Sequence, residues 1–485
     1  MRFKASWIII ISASVLLSLL GNSCKKQSSL SAGGTLKFSV DTLKFDTVFT
    51  AAGSFTTGLL IYNRESQPVV VSSVRLQGGN SSYFHLNVDG FPGNNITNLK
   101  IAAHDSIYVF ATVNINPNDT LTPFLVTDQL IATLNGKQFS IPFTAYGQNA
   151  HYIISDSITT DTKWKTDRPY VVIHACVIGN AVLTIPPGCR VYMHQDARFF
   201  VYGGLVVGGG KQGQDSVVFQ GDRLDRAYFG YIGYPGEWGG FYFIGGGNNN
   251  GGQGLFVNAI IKNCGGASPY YNYGIRPAAI EVDNGAKVWM YYTTIKNSIG
   301  YGILGLQGNV VGTNCLVHTC GAQALGIIQG GNDTFTNCTF ANYGTAAVSH
   351  INNPTVAILN YLPNGDGTYE SGNLNALLTN CIVYGSLDSE LYCDSLGGAT
   401  ANLNLDHCLF GTGYKIENFV KTTNCIIGQA PAFTDPLFVN TAIGNFALAA
   451  SSPAIGKGIQ LPLVTDDLAG YPRNGRNDIG CYQQH

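Results

Sequence analysis

From Thr35 to about Gln148 the chain alternates apolar and polar positions in short runs, among them "TLKFSVDTLKFDTVF", "FTTGLLIYN", "PVVVSSVRLQ", "DSIYVFATVNI" and "LVTDQLIATLNGKQFSIPFTAYG". Gly, Asn, Pro and Asp stand between the runs. A period of two broken by turn residues predicts strands with one buried face. Six or seven such strands within residues 35–150 predict a β-sandwich. His85 and His104 stand alone in this region, without the spacing of metal ligands.

A polar linker, "NAHYIISDSITTDTKW", leads into a different pattern. "TNCLV", "TNCTF", "TNCIV", "DHCLF" and "TNCII" share one template, with Cys315, Cys338, Cys381, Cys408 and Cys425 at its centre. "NAIIKNC" and "YTTIKNS" fit it with Ala259 and Thr293 in the cysteine place. The long interval from Cys338 to Cys381 divides at "TVAIL" if Ala357 takes that place. A period near 22 residues, made of short β units without helical spacing, predicts a right-handed parallel β-helix over residues 151–430. The five cysteines then superpose as an inward ladder, with Asn or His before each one at an outward turn. Cys264 and Cys320 form a second, partial column. The residue after each ladder cysteine is apolar in Leu316, Ile382, Leu409 and Ile426, so this outer strip needs a cover from the chain's own loops or from a partner.

Both ends of the repeat region carry a resemblance. "VLTIPPGCRVYMHQDARFFVYGGLVVGGGKQGQDSVVFQGDR" and "EWGGFYF" resemble the opening coils of β-helix proteins of the pectate-lyase-like superfamily. "SPAIGKG" and "DLAGYPRNGRNDIGCYQ" resemble the C-terminal module of secreted members, here residues 431–485, with Cys481 where Ala is usual. The resemblance implies the fold and matches no single enzyme family. The strand order of residues 35–150 resembles the immunoglobulin-like ASPM/Hydin sandwiches of bacterial surface proteins. The expected fold class is therefore all-β, an N-terminal immunoglobulin-like sandwich plus a right-handed parallel β-helix.

Composition narrows the setting. Of 485 residues, 45% are hydrophobic and only 12% charged, and the net charge is −2 without a basic tract, which argues against a nucleic-acid partner. Arg2 and Lys4 precede the apolar run Trp7–Leu20, which is shorter than the roughly 20 residues a membrane-spanning helix needs. It ends in "LLGNSCKKQSS", which resembles the lipoprotein signals of Bacteroidetes with Cys24 as the lipidated residue. The resemblance implies a signal peptide over residues 1–24, a linker over 25–34, a lipid anchor to the membrane and an outer-membrane location.

Candidate chemistry is sparse. β-Helix hydrolases need paired aspartates, and the stretches that carry them are missing; the adjacent pair Asp466–Asp467 falls in the C-terminal module. β-Helix lyases need a base and a cation or Ca²⁺. "SLDSELYCD" gathers Asp388, Glu390 and Asp394, three acids that could hold Ca²⁺ from one edge. His318, His350 and His407 are isolated along the chain.

The stretches "DRLDRAYFGYIGYPGEW" and "GGASPYYNYGIRP" put Asp222, Arg223, Tyr231, Tyr234, Glu237, Trp238, Tyr270, Tyr271, Tyr273 and Arg276 on neighbouring long loops. Rings with polar edges suit sugars, so these are the candidate ligand-binding residues, although Trp238 in "WGG" also fits a coil corner. The reading that results is a lipid-anchored envelope protein, a non-catalytic module for polysaccharide or cell-surface protein. A β-helix polysaccharide lyase or glycoside hydrolase, and a purely structural rod, stay open as alternatives.

Overall fold

The computed structural model describes residues 33–209, 215–224, 233–246, 251–267, 276–428, 435–473 and 475–485. Cys24, Tyr231, Tyr270, Tyr271 and Tyr273 lie outside the described residues. The chain divides into two compact units, one of residues up to Asn116 with Phe124–Gly147, the other of Pro117–Pro123 with Gln148–His485.

The first unit is an immunoglobulin-like sandwich of two five-stranded antiparallel sheets. One holds Leu36–Phe38, Thr57–Asn63, Ser106–Val113, Phe84–Val88 and Phe91–Pro92, and the other holds Leu43–Phe49, Lys137–Gln148, Phe124–Leu134, Val69–Leu76 and Asn95–Ile101. Alternation along each strand sends one residue in two inward. Phe45, Phe84 and Phe143 meet at its centre, with ring centroids 5.4–6.3 Å apart.

The second unit is a parallel β-helix. Each coil runs through three flanks. The first flank is a ten-stranded sheet, and the other two alternate along an eighteen-stranded sheet in which every second strand also pairs. At the entry one long strand, Tyr170–Ile178, serves two flanks, pairing with Arg190–Met193 and with Arg198–Val201.

The turn from first to second flank explains the repeat. Asn258, Tyr292, Asn314, Asn337, Asn380, His407 and Asn424 all have φ between 50° and 55°. This left-handed conformation is tolerated best by Gly and Asn. The turn residues from Asn258 to His407 donate their N–H groups to the next coil, as from Asn337 to Thr379 O at 2.9 Å and from His407 to Thr423 O at 2.8 Å. The following residue points inward, so Cys315, Cys338, Cys381, Cys408 and Cys425 form the expected ladder. Four of them are joined by the bonds Thr339 N to Cys315 O, Ile382 N to Cys338 O and Leu409 N to Cys381 O, each 2.9 Å. The described cysteines are free thiols, and burial pushes those of Cys315, Cys338 and Cys381 well above the ordinary thiol range. Cys264 and Cys320 belong to a second buried column, with Ser298 between them.

One expectation fails. Ala357 is not in the ladder: it pairs with Gly326 and Tyr392 on the third flank. Cys338 and Cys381 are on adjacent coils, because the strand Gly331–Thr336 pairs directly with Leu374–Thr379. The interval is one enlarged coil, swollen by the loop 343–355 and by the hairpin of Tyr361–Pro363 with Tyr369–Ser371.

The cover of the outer strip is the chain's own C-terminal module. Ile382 and Leu409 cluster with Leu448, Ala454 and Ile479, and Leu316 clusters with Phe446 and Cys481. Thr339, the polar member of the strip, accepts the Cys481 N–H at 3.0 Å. The turn asparagines fasten the module as well: Asn314 donates to Asp466 O at 2.7 Å, and Asn380 exchanges two 2.8 Å bonds with the Ile459 backbone. Arg473, buried, reaches Asn314 Oδ1 at 3.1 Å and Gly480 O at 2.8 Å.

Candidate functional site

Loops 222–240, 263–277 and 343–355 all leave from the corner between the second and third flanks. Repeat proteins often concentrate insertions on a binding face. Within this corner Trp238 is a core residue, 0% exposed, with its indole N–H on Lys262 O at 2.9 Å and its ring edge-on to Phe241. It cannot present a face to a sugar, which removes it from the binding set.

Glu237 heads a polar ladder. Its Oε2 accepts Asn263 Nδ2 at 3.1 Å, and Asn263 Oδ1 accepts Asn297 Nδ2 at 2.8 Å. Its Oε1 accepts the N–H of Tyr234, whose side chain is 41% exposed. Asp222 takes His194 Nδ1 at 2.7 Å, and that carboxylate raises the His194 pKa, while Arg223 is near enough to oppose it.

Beside this ladder, on the outer face of the second flank, Lys262 and Lys296 are direct rung neighbours. Both are half-buried. Burial lowers both lysine pKa values; at Lys262 the Lys296 charge lowers it further and Glu237 opposes. The next rung is His318, already covered by the C-terminal module with its ring 4.7 Å from Phe446, and burial pushes its pKa down to about 3. The lysines therefore occupy the last rungs before the module's cover begins. The earlier rungs continue with Gln220 and Tyr192, neighbours in register. Neither lysine was among the sequence candidates, yet "AIIKNC" and "TTIKNS" carry them at the same template position, which is the signal that would have stacked them.

Arg276 lies apart from this strip. Its N–H donates to Glu281 Oε2 at 2.7 Å on the third flank. The three acids of "SLDSELYCD" do not converge. Glu390 is buried and accepts His350 Nε2 at 3.0 Å, Thr355 Oγ1 at 2.7 Å and Leu387 N at 2.7 Å. Asp394 accepts Tyr361 OH at 2.7 Å and the Tyr392 OH at 3.3 Å, and no bond joins Asp388 to either acid among those described. No group of three or more His, Cys, Asp or Glu side chains able to hold a metal occurs among the described residues. His350 is thus drawn into a buried structural pair, and His407 bonds its neighbour Asp406 at 2.8 Å.

No family model matches the chain, and no curated protein matches it. Among solved structures, a family 123 glycoside hydrolase from Clostridium perfringens, described for glycolipid glycan hydrolysis, aligns at 12% identity and a TM-score of 0.20. That alignment covers 27% of this chain and 31% of the hydrolase, so the chain spans under a third of that protein's length. A PapD-like domain of human CEP192 aligns at 9% identity and a TM-score of 0.18, over 26% of this chain and 94% of that domain. Similarity at this level carries no functional argument.

Proposed function

We propose that this chain is an exported, lipid-anchored envelope protein that recognises acidic glycans along the second flank of its β-helix. The observation that carries the reading is the Lys262–Lys296 stack. Parallel strands repeat at about 4.8 Å, so two half-buried ammonium groups one rung apart repel each other until an anionic ligand lies across them. Gln220 and the exposed Tyr234 flank the strip and add hydrogen-bonding and ring surface for sugar hydroxyls. The anchor at Cys24 rests on "LLGNSCKK" and is tested by Cys24→Ala, which should move the protein from the membrane fraction to the soluble one.

The binding test is retention on immobilised polyuronate and on a neutral glucan. Lys262→Gln and Lys296→Gln should each weaken retention on polyuronate roughly tenfold, about 1.4 kcal/mol, and the wild-type interaction should weaken with salt. Unchanged retention by the double variant, or retention on the neutral glucan alone, would sink the reading.

A second reading is favoured by the pairing of two half-buried lysines on adjacent rungs, where burial lowers both pKa values. A lysine that gives up its proton more readily can act as a base beside a uronate carboxylate while its neighbour stabilises the resulting anion. Unsaturated uronate ends, formed by the wild type and lost in both lysine variants, would establish that activity; their absence from wild-type digests of several polyuronates would eliminate it.

A further inference from the structure

On the third flank, outward-facing side chains of three successive coils form a closed polar cluster. Phe200, Tyr242 and Glu281 are rung neighbours, and Arg198 precedes Phe200 on the same face. The Phe200 and Tyr242 rings stack at 5.5 Å. Arg198 is 3% exposed, Tyr242 0% and Glu281 1%.

Among the described residues, each of these side chains keeps one buried polar atom without a partner of good hydrogen-bond geometry: Arg198 Nε, Tyr242 OH and Glu281 Oε1. Unpaired buried polar groups cost about 1–3 kcal/mol each, so three on adjacent rungs point to a missing binding partner. Arg198 is placed by its Nη2 bond to Ala267 O at 3.2 Å and by Gly239, whose position admits no side chain beside Nε. The Arg198 guanidinium acts on the Tyr242 phenol by its charge and by a side-chain hydrogen bond to the phenol oxygen, which leaves the phenol O–H itself without an acceptor. Glu281 Oε2 is occupied by the Arg276 N–H at 2.7 Å.

The hydrogen-bonding sense of the cluster follows from its protonation. Burial, reinforced by the Asp283 charge two residues along the strand, raises the Glu281 pKa to about 8. Glu281 then carries a proton at neutral pH, and with Oε2 engaged the proton belongs on Oε1. Arg198 Nε–H, Tyr242 O–H and Glu281 Oε1–H are three donors lacking an acceptor. Among the described residues, the charged groups that face Glu281 are the Arg276 and Asp283 side chains, with Arg198 beyond Tyr242. Two guanidinium groups against one carboxylate leave the cluster net positive. Cys264, also within reach of Tyr242, has its thiol pKa raised by burial and is neutral.

We propose that Arg198, Tyr242 and Glu281 form a seat for one small monovalent anion, of halide or formate size, on the outer face of the third flank. Because the three residues are at most 3% exposed, a small anion suits them better than a large one, and the three donors would supply charge-assisted bonds to one acceptor. The site is separate from the Lys262–Lys296 strip and does not depend on the function assigned to it.

Thermal unfolding of the full chain in sodium chloride, bromide, formate or methanesulfonate at equal ionic strength tests the proposal. Chloride, bromide or formate should raise the midpoint in a concentration-dependent way, methanesulfonate should not, and the arm with the largest shift names the anion. The gain should fade above pH ~8, where Glu281 loses its proton. Tyr242→Phe, which keeps the ring, should reduce the shift, and Arg198→Met should abolish it. Crystals soaked in bromide should show anomalous density between the three side chains, a readout that needs no variant to fold. Equal midpoints in all four salts, an undiminished shift in both variants, or bromide density elsewhere only would overturn the seat.

Discussion

Glu281 makes the pH dependence of stability a quantitative test of the third flank. Its folded pKa is raised from an ordinary value of 4.5 to about 8, chiefly by burial, and the side chain is 1% exposed. A group whose pKa rises on folding stabilises the native state fully below its unfolded value and loses that contribution as pH climbs through the folded value. At about 1.36 kcal/mol per pH unit, the interval from 4.5 to about 8 corresponds to a loss of about 5 kcal/mol. Asp283, raised by burial to about 6, acts in the same sense over a lower window. Glu281→Gln keeps the shape and the acceptor for the Arg276 N–H but cannot ionise. Urea unfolding at fixed anion concentration, followed from pH ~4.5 to ~8.5, should show the wild type losing stability relative to the variant. The two curves should meet at the acid end and separate by several kcal/mol at the alkaline end. Parallel curves with a constant offset would show that Glu281 is ionised in the folded protein, and the account of its burial would be wrong.

Three further outcomes are expected. Trp238→Ala removes a fully buried indole and its bond to Lys262 O, and should cost about 3–5 kcal/mol in denaturant unfolding; a cost below ~1 kcal/mol would contradict its core role. Arg473→Met loses the bonds to Asn314 and Gly480, so limited proteolysis should cut within residues 435–485 faster than in the wild type. The Cys315, Cys338 and Cys381 thiols, deeply buried with raised pKa values, should resist alkylation in the native protein and react only after unfolding, as read by mass spectrometry.

The β-helix was legible because its determinants are local. An asparagine in the left-handed region followed by an inward cysteine needs only neighbouring residues to specify it, and it recurs at Asn314, Asn337, Asn380 and Asn424. The assignment of Ala357 failed because the insertions around it hold apolar β runs that imitate a coil; spacing alone cannot tell a hairpin on the surface from a rung in the stack. The cover over Leu316, Ile382 and Leu409 depends on packing between segments far apart in the chain, which no pattern along the chain announces. Of the candidate site, Glu237 and Asp222 were visible as acids in Gly-rich loops, while the Tyr242–Glu281 pairing was not. The third flank carries no template residue, so its rung partners emerge only from the register. Trp238 misled for a related reason, since a ring in a glycine run suits a sugar platform and a buried corner equally well.

The fastening of the C-terminal module to Asn314 and Asn380 fixes where this solenoid could lengthen in evolution. The module measures a set distance along the stack, from the Asn314 rung past Asn337 to the Asn380 rung. A coil duplicated inside that interval would pull its anchoring points about 4.8 Å out of step, and the module could satisfy one asparagine or the other but not both. A coil duplicated ahead of Thr294 would leave the interval intact and extend the uncovered flank that carries the lysine strip. Growth ahead of Thr294 is thereby coupled to growth of the exposed polar surface, with the module acting as a ruler that keeps change out of the coils it spans.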